Sequence, residues 1–221
     1  MRTWVEIDLG AVRRNAFAMK GLLGGAALIA VVKADGYGHG AVQVARALAG
    51  VADGFAVADP LEAKTVLPRT GAAPVLCLYP LVGDDVARAV SLRLGVAVSC
   101  GSDIAAVEAQ AEAQGVVSDV HVKVNTGMNR HGMDTEQASQ AVRMCREAQA
   151  LRLAGVWTHL ASGEDPSDGF TQEQAERLAH FAADEGVDGR ITHVANSGAT
   201  LNYGALGCGA ARVGISLYGA Y

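Results

Sequence analysis

Residues 26–40 read AALIAVVKADGYGHG and join an apolar run to a lysine and a glycine-rich segment. The run from Ala26 to Val32 has the length and composition of a buried parallel strand. Lys33 ends that strand, where an ammonium in apolar surroundings either finds a partner or loses its proton. A neutral lysine readily forms an imine, so Lys33 is a candidate for holding an aldehyde cofactor. A snorkelling lysine before an ordinary glycine turn is the alternative.

The segment after Lys33 is suited to close contact with a ligand. Its glycines allow sharp turns and let the backbone approach a bound molecule. Tyr37 follows Lys33 by four residues and can bring a hydroxyl back to the same place.

Strand-like and helix-like segments alternate along the whole chain, which predicts parallel βαβ units. Eight such units close into an α/β fold of the parallel (β/α)8 TIM type. An open doubly wound sheet is disfavoured, because no G-x-G-x-x-G follows the first strand. An extra strand over Thr3–Leu9 and a helix from about 10 to 23 are predicted before the barrel, and this helix can fill the place of a final one. The eight predicted strands cover residues 26–33, 54–57, 74–78, 95–99, 121–125, 153–160, 191–195 and 210–213.

Bulk properties exclude several classes of protein. The 221 residues are 50% hydrophobic and 19% charged, which is typical of a globular chain. The net charge of −5 argues against nucleic acid as a partner. Apolar runs are too short to cross a membrane, and the N-terminal segment carries acids where a signal peptide needs an apolar stretch. The sequence therefore predicts a cytoplasmic protein, and its four scattered cysteines predict reduced thiols rather than disulfides or zinc.

Polar residues follow several of the predicted strands, and in a barrel these strand ends meet at one mouth. Phosphate groups often bind after strands seven and eight, where this chain has Ser197-Gly198 and Val213-Gly214-Ile215. Either segment alone is equally consistent with an ordinary glycine turn. Together with Lys33 they predict a site for pyridoxal 5′-phosphate (PLP), with an amine for the aldehyde and amides and hydroxyls for the phosphate.

His159 and Arg212 add a possible contact with the cofactor ring. The His159 ring can lie flat against it, although a buried structural histidine is the alternative. A guanidinium only donates hydrogen bonds, so a pyridine nitrogen bound to Arg212 accepts and stays unprotonated. Such a ring is a weaker electron sink, which favours reversible proton exchange over decarboxylation or transamination. A surface ion pair is the alternative for Arg212, and the remaining histidines are interpreted as structural: His39, His121, His131, His180 and His193.

Five segments resemble the alanine racemases, a PLP-dependent family with a fold-type III barrel. They occur in the family order and, with the opening segment 4–9, spread the resemblance over the whole chain. By this resemblance, residues 1–221 are the PLP-binding N-terminal barrel domain, and the β-rich C-terminal domain is absent. The segments are 32–40 (VKADGYGHG), 123–130 (KVNTGMNR), 157–159 (WTH), 195–200 (ANSGAT) and 212–219 (RVGISLYG).

The resemblance assigns roles to individual residues. Lys33 is the lysine that carries PLP as a Schiff base and is one of two catalytic bases. His159 and Arg212 flank and bind the pyridine ring, and Arg130 binds the phenolic oxygen of the cofactor. Asn196 supports the site, and four residues hold the phosphate: Tyr37, Ser197, Gly214 and Ile215.

Some positions depart from the family pattern or extend it. Lys123 matches a lysine that is carbamylated in some members and there orients the arginine equivalent to Arg130. Trp157 stands where many members have tyrosine, Asn125 replaces a common aspartate, and His131 replaces an aliphatic residue.

Three hypotheses follow, of which the last is racemisation of another small amino acid. In the first, the chain belongs to an alanine racemase that interconverts L- and D-alanine for peptidoglycan and is a homodimer at full length. The second base in the family is a tyrosine of the C-terminal domain, contributed by the partner subunit. Because that domain is absent, the alternative is a free-standing PLP-binding barrel without racemase activity.

Overall fold

The computed structural model describes residues 3–220, in which eight parallel strands close into a barrel. Each strand pairs with the next along the chain, and β8 closes the barrel by pairing with β1. The predicted (β/α)8 TIM-type barrel is therefore confirmed. The strands are β1 Ala27–Val31, β2 Gly54–Val57, β3 Val75–Cys77, β4 Gly95–Val98, β5 Ser118–Lys123, β6 Leu151–Trp157, β7 Thr192–His193 and β8 Ala210–Val213.

Helices follow the strands and cover the outside of the barrel. Several begin at side chains that accept hydrogen bonds from the first turn; Asp134, for example, accepts from the N–H of Gln137. No helix within residues 3–220 is both long enough and apolar enough to span a bilayer. The helices that follow strands cover Ala41–Leu48, Pro60–Val66, Asp84–Ser91, Gly101–Ala113, Thr135–Glu147, Phe170–Asp184 and Ser197–Tyr203.

A further helix, Leu9–Leu22, precedes β1 and begins at Asp8, whose side chain accepts from the N–H of Ala11. It packs between the helices Ala41–Leu48 and Ser197–Tyr203. It thus completes the outer ring between the units of β7 and β1, as predicted. Asn15 fastens it to the end of the barrel, because its Nδ2 donates to the carbonyl of Leu217 at 3.0 Å.

The predicted strand over Thr3–Leu9 is wrong. Residues 3–8 have no regular secondary structure, and Leu9 already belongs to the first helix. The side chains of Trp4 and Val5 are 70% and 81% exposed. Alternation of apolar residues favours a strand only where a partner strand is available. A closed barrel has no free edge to offer one.

The two halves of the barrel interior differ in polarity. On the side of β1 to β3, Val31, Ala56 and Leu76 form a small apolar cluster. In β5, alternation turns Val120 and Val122 outward into the main core. The β5 side chains that alternate with these valines point into the barrel. There they form a polar cluster with side chains of β6 to β8. Its members are His121, Lys123, Trp157, His193 and Arg212.

Candidate active site

A cavity of about 530 Å³ opens at the carboxyl ends of the strands. It contains every residue that the sequence predicted for the site. Other residues in its wall had no predicted binding role, among them Tyr79, Lys123 and Trp157. The predicted residues in its wall are Lys33, Tyr37, Arg130, His159, Asn196, Ser197, Arg212, Gly214 and Ile215.

Lys33 lies in an unusual turn. β1 ends at Val31, so Lys33 follows the strand rather than ending it as predicted. The chain then turns left-handed at Ala34 (φ 51°, ψ 52°), Asp35 (φ 51°, ψ 46°) and Gly36 (φ 63°, ψ 43°). A left-handed conformation costs about 1–2 kcal/mol for each residue with a Cβ. The surrounding structure must therefore hold this turn in place.

Hydrogen bonds from outside and within the turn supply that support. The N–H of Gly36 donates to the carbonyl of Val32 at 2.9 Å, and Asp35 accepts from the N–H of Ala41 at 2.8 Å. Glu62 accepts from the N–H of Ala34 at 2.7 Å and, through its other oxygen, from Ala58 at 2.8 Å. Glu62, in the first turn of the helix Pro60–Val66, thus also stabilises the turn that contains Lys33. Sequence reasoning missed this role.

The Lys33 amine lies among phenols. Its Nζ is 2.9 Å from the hydroxyl of Tyr79 and 5.1 Å from the centre of that ring. The ring of Tyr37 is 6.0 Å away. Sequence reasoning left Tyr79 without a role. Its position directly after β3, at the same end of the barrel as Lys33, was the available signal.

Arg212 is 3% exposed and is held mainly by backbone carbonyls. Its Nη1 donates to Nδ1 and to the carbonyl of His193, at 2.7 and 2.8 Å. Its Nη2 donates to the carbonyl of Thr158 at 2.7 Å and lies 3.4 Å from Nδ1 of His159. Burial lowers the pKa of Arg212 to about 9, which leaves it charged at neutral pH. Within residues 3–220 no acceptor is bound to its Nε, so one donor is left for a ligand.

Two further histidines extend this network into the barrel. Nε2 of His193 lies 3.1 Å from Nδ1 of His121, and the indole of Trp157 stacks on the His193 ring. Burial lowers the pKa of His121 to about 4. Burial and the charge of Arg212 lower the pKa of His159 to about 3. These rings are therefore neutral at neutral pH.

Lys123 adds a second buried cation. It is 4% exposed, and its Nζ lies 4.6 Å from the ring of Trp157, which Arg212 also contacts at 4.5 Å. Burial, followed by the charges of Arg130 and Arg212, lowers the pKa of Lys123 to about 8. The Nε1 of Trp157 is buried and has no hydrogen-bond partner among the described residues. This corner of the cavity is therefore rich in donors and positive charge.

The carboxyl ends of β7 and β8 have the features of a phosphate site. Asn196 caps the helix Ser197–Tyr203 by accepting from the N–H of Ala199 at 3.0 Å. The hydroxyl of Ser197 accepts from the N–H of Gly214 at 2.9 Å. A Cβ at Gly214 would lie only 2.5 Å from the hydroxyl oxygen of Tyr37, so any larger residue here must displace that phenol.

The residues in the cavity fit PLP. The hydroxyls of Ser197 and Tyr37 can face a phosphate beside the backbone of Gly214, whose N–H donates to Ser197. Lys33 follows the neighbouring strand β1 and offers an amine to an aldehyde. The same cavity wall includes Arg130 and Arg212, which can donate to a ring nitrogen and a phenolic oxygen. A single carboxylate, that of Glu164, is part of the wall, which suits an anionic ligand.

The comparisons with known proteins agree with this geometry. Residues 7–221 match the family model "Alanine racemase, N-terminal domain". The chain is 40% identical over 220 residues to an alanine racemase of Mycolicibacterium smegmatis, covering 96% of this chain and 57% of that protein. It is 35% identical over 231 residues to one of Streptomyces coelicolor, covering 99% of this chain and 59% of that protein.

Solved structures give the same result. An alanine racemase of Clostridium difficile 630 in complex with cycloserine has a TM-score of 0.92 and 30% identity, covering 100% of this chain and 62% of that one. The enzyme of Streptomyces coelicolor A3(2) has a TM-score of 0.87 and 34% identity, covering 97% and 59%. The chain therefore spans a little over half the length of the relatives that it matches.

Proposed function

Because the chain belongs to the alanine racemase family through its N-terminal domain, we propose that residues 1–221 form the PLP-binding barrel of an alanine racemase. The enzyme interconverts L- and D-alanine and supplies D-alanine for peptidoglycan. The observation that carries the proposal is that all nine residues predicted from sequence line one cavity. Alanine racemases are PLP-dependent enzymes, and the donors of this cavity fit that cofactor. A cytoplasmic location stays a prediction.

The proposed roles follow the positions of the residues. PLP, when bound, supplies an aldehyde that condenses with amines and a ring that takes up the electrons of a broken C–H bond. Ser197, the N–H groups of Gly214 and Ile215, and the Tyr37 hydroxyl would bind its phosphate. Arg212 would donate to the pyridine nitrogen, and His159 would lie against the ring. Arg130 would bind the phenolic oxygen, and Asn196 would hold the Ser197 helix in place.

Lys33 has two proposed tasks. Its amine would hold the cofactor, and in the presence of alanine the freed amine would take or return the proton on one face of Cα. Arg212 would donate to the ring nitrogen and so keep the ring a weak electron sink, which favours the return of a removed proton. This is the requirement of a racemase.

Lys123 is proposed to be carbamylated. A pKa of about 8 leaves a larger neutral fraction than an ordinary lysine has, about a tenth at pH 7, and the neutral amine can react with carbon dioxide to give a carbamate and a proton. A carbamate would bring negative charge beside Arg130 and Arg212, where the described residues supply none in direct contact. It would also offer an acceptor to the unpartnered Nε1 of Trp157.

Racemisation also needs an acid–base group on the other face of Cα. By resemblance, this is a tyrosine of the C-terminal domain of a partner subunit, so we propose a homodimer for the longer enzyme. The 221-residue chain alone should bind PLP and racemise alanine poorly.

Absorbance of the PLP-treated chain tests the proposal. We expect a cofactor band that is lost in Lys33→Ala and kept in Lys64→Ala, because Lys64 is exposed on a helix away from the cavity. Borohydride reduction followed by peptide mass spectrometry should place the cofactor on Lys33. Attachment elsewhere contradicts the proposal. Attachment at Lys33 without any racemisation, even after addition of the C-terminal domain, favours the free-standing PLP-binding barrel.

A further inference from the structure

The hydroxyl of Tyr79 lies 2.9 Å from Nζ of Lys33, within hydrogen-bonding distance. Among the described residues, it is the only group hydrogen-bonded to this amine. Tyr37 is also close, but its ring centre is 6.0 Å from the amine and its hydroxyl lies against Gly214. The two phenols therefore have different partners.

The chain places Tyr79 by constraints on its backbone. The N–H of Leu78 donates to the carbonyl of Val57 at 3.0 Å, which extends the pairing of β3 one residue beyond Cys77. Pro80 follows Tyr79 and disfavours the helical conformation at that residue. Tyr79 thus leaves the barrel from a fixed strand end. Its half-exposed ring is part of the cavity wall, and its hydroxyl reaches the amine of Lys33.

We propose that Tyr79 is a further catalytic residue, which holds the Lys33 amine in place in both of its protonation states. The proposal rests on the proposed role of Lys33. A charged amine donates one of its N–H groups to the phenol oxygen, and a neutral amine can still donate an N–H there, which leaves its lone pair free. When Lys33 takes a proton from Cα on that lone pair, the proton stays on the nitrogen and the Tyr79 oxygen remains the acceptor. Tyr79 keeps its own proton, so it does not replace the base on the other face of Cα.

Labelling without PLP tests the contact itself. The chain is acetylated with a small anhydride over a range of pH, and modification of Lys33 is measured by peptide mass spectrometry. Tyr79→Phe removes the oxygen that favours the charged amine more than the neutral one, because charge-assisted hydrogen bonds are the stronger. We expect roughly fivefold faster labelling at neutral pH and a half-maximal rate at lower pH.

Control measurements distinguish the loss of this hydrogen bond from a change in the access of the anhydride to the Lys33 amine. Greater access raises the rate by the same factor at every pH, whereas loss of the oxygen moves the pH profile. Tyr79→Gln keeps a donor and an acceptor and should move the profile back part of the way. Tyr203→Phe makes the same chemical change at the opposite end of the barrel and should have no effect. An unchanged profile in Tyr79→Phe overturns the proposal.

Hydrogen exchange on alanine tests the catalytic part. One base is enough to exchange the Cα hydrogen for deuterium, so the PLP-loaded chain can be assayed by NMR without a second base. Tyr79→Phe should lower the maximal exchange rate about tenfold with little change in KM, because the contact acts during proton transfer. Equal rates in Tyr79→Phe and the parent chain overturn this part. If the parent chain neither binds PLP nor exchanges hydrogen, the proposed function fails, and the labelling profiles still decide whether Tyr79 holds the amine.

Discussion

Arg212 and His193 are joined by a hydrogen bond of 2.7 Å between Nη1 and Nδ1. A guanidinium only donates, so Nδ1 of His193 must be an unprotonated acceptor. The proton of the neutral ring is then on Nε2, which faces Nδ1 of His121 at 3.1 Å. His121 must accept there and carry its own proton on Nε2. One cation thereby fixes the tautomers of two buried histidines.

Nitrogen-15 NMR should detect these tautomers. In histidine-labelled protein, His193 and His121 are expected as neutral rings with the proton on Nε2, and they should stay so down to about pH 6. Burial, then the charges of Arg212 and His121, hold the pKa of His193 well below its ordinary value. The exposed His180 serves as the internal reference. A proton on Nδ1 of His193 contradicts the direction of the bond from Arg212.

Two histidines with lowered pKa values, His121 and His159, should make the free energy of unfolding depend on pH. Their folded pKa values lie below the unfolded value of about 6.5, at about 4 for His121 and about 3 for His159. Below about pH 6.5 the unfolded chain therefore binds more protons, and each histidine lowers the free energy of unfolding by up to about 1.4 kcal/mol per pH unit. Urea unfolding between about pH 7 and 5 measures this slope. His121→Gln should reduce it and His180→Gln should not; a flat profile contradicts the prediction.

Much of the barrel was predictable, because a parallel strand buried on both faces leaves a continuous apolar run. That the nine predicted residues line one cavity was predictable, because they belong to short local motifs at strand ends. The strand over Thr3–Leu9 was predicted wrongly, since alternation does not reveal whether a partner strand exists. The position of Tyr79 after a strand indicated the barrel mouth, but no pattern or motif indicated its contact with Lys33 or the contact of Glu62 with Ala34. These contacts join residues 46 and 28 positions apart, and only the closed fold brings them together.

Glu62→Gln should loosen the lysine turn. The two carboxylate oxygens accept from the N–H groups of Ala34 and Ala58, and the amide of glutamine can replace only one acceptor. One of the two N–H groups loses its acceptor, and a strained turn loses its external support. We expect the free energy of unfolding to fall by about 1–3 kcal/mol, measured with urea. PLP affinity should fall as well. Glu112→Gln, an exposed change on another helix, should leave both unchanged.

Gly214→Ala should weaken PLP binding without unfolding the barrel. The new Cβ would lie 2.5 Å from the hydroxyl oxygen of Tyr37, so the phenol must move away from the amide that faces Ser197. The protein groups that would bind the phosphate then separate. The dissociation constant for PLP, measured by absorbance titration, should rise at least about tenfold.

A double-variant comparison shows whether the contact between Gly214 and Tyr37 causes that loss. Tyr37→Phe removes the atom that the new Cβ would meet, so the two changes together should cost less affinity than the sum of the single ones. Gly21→Ala is the matched control, because a Cβ there meets no atom within 4 Å and Gly21 lies on the first helix, away from the cavity. Strict additivity would mean that the phosphate site does not depend on the close approach of the Tyr37 hydroxyl to the Gly214 backbone.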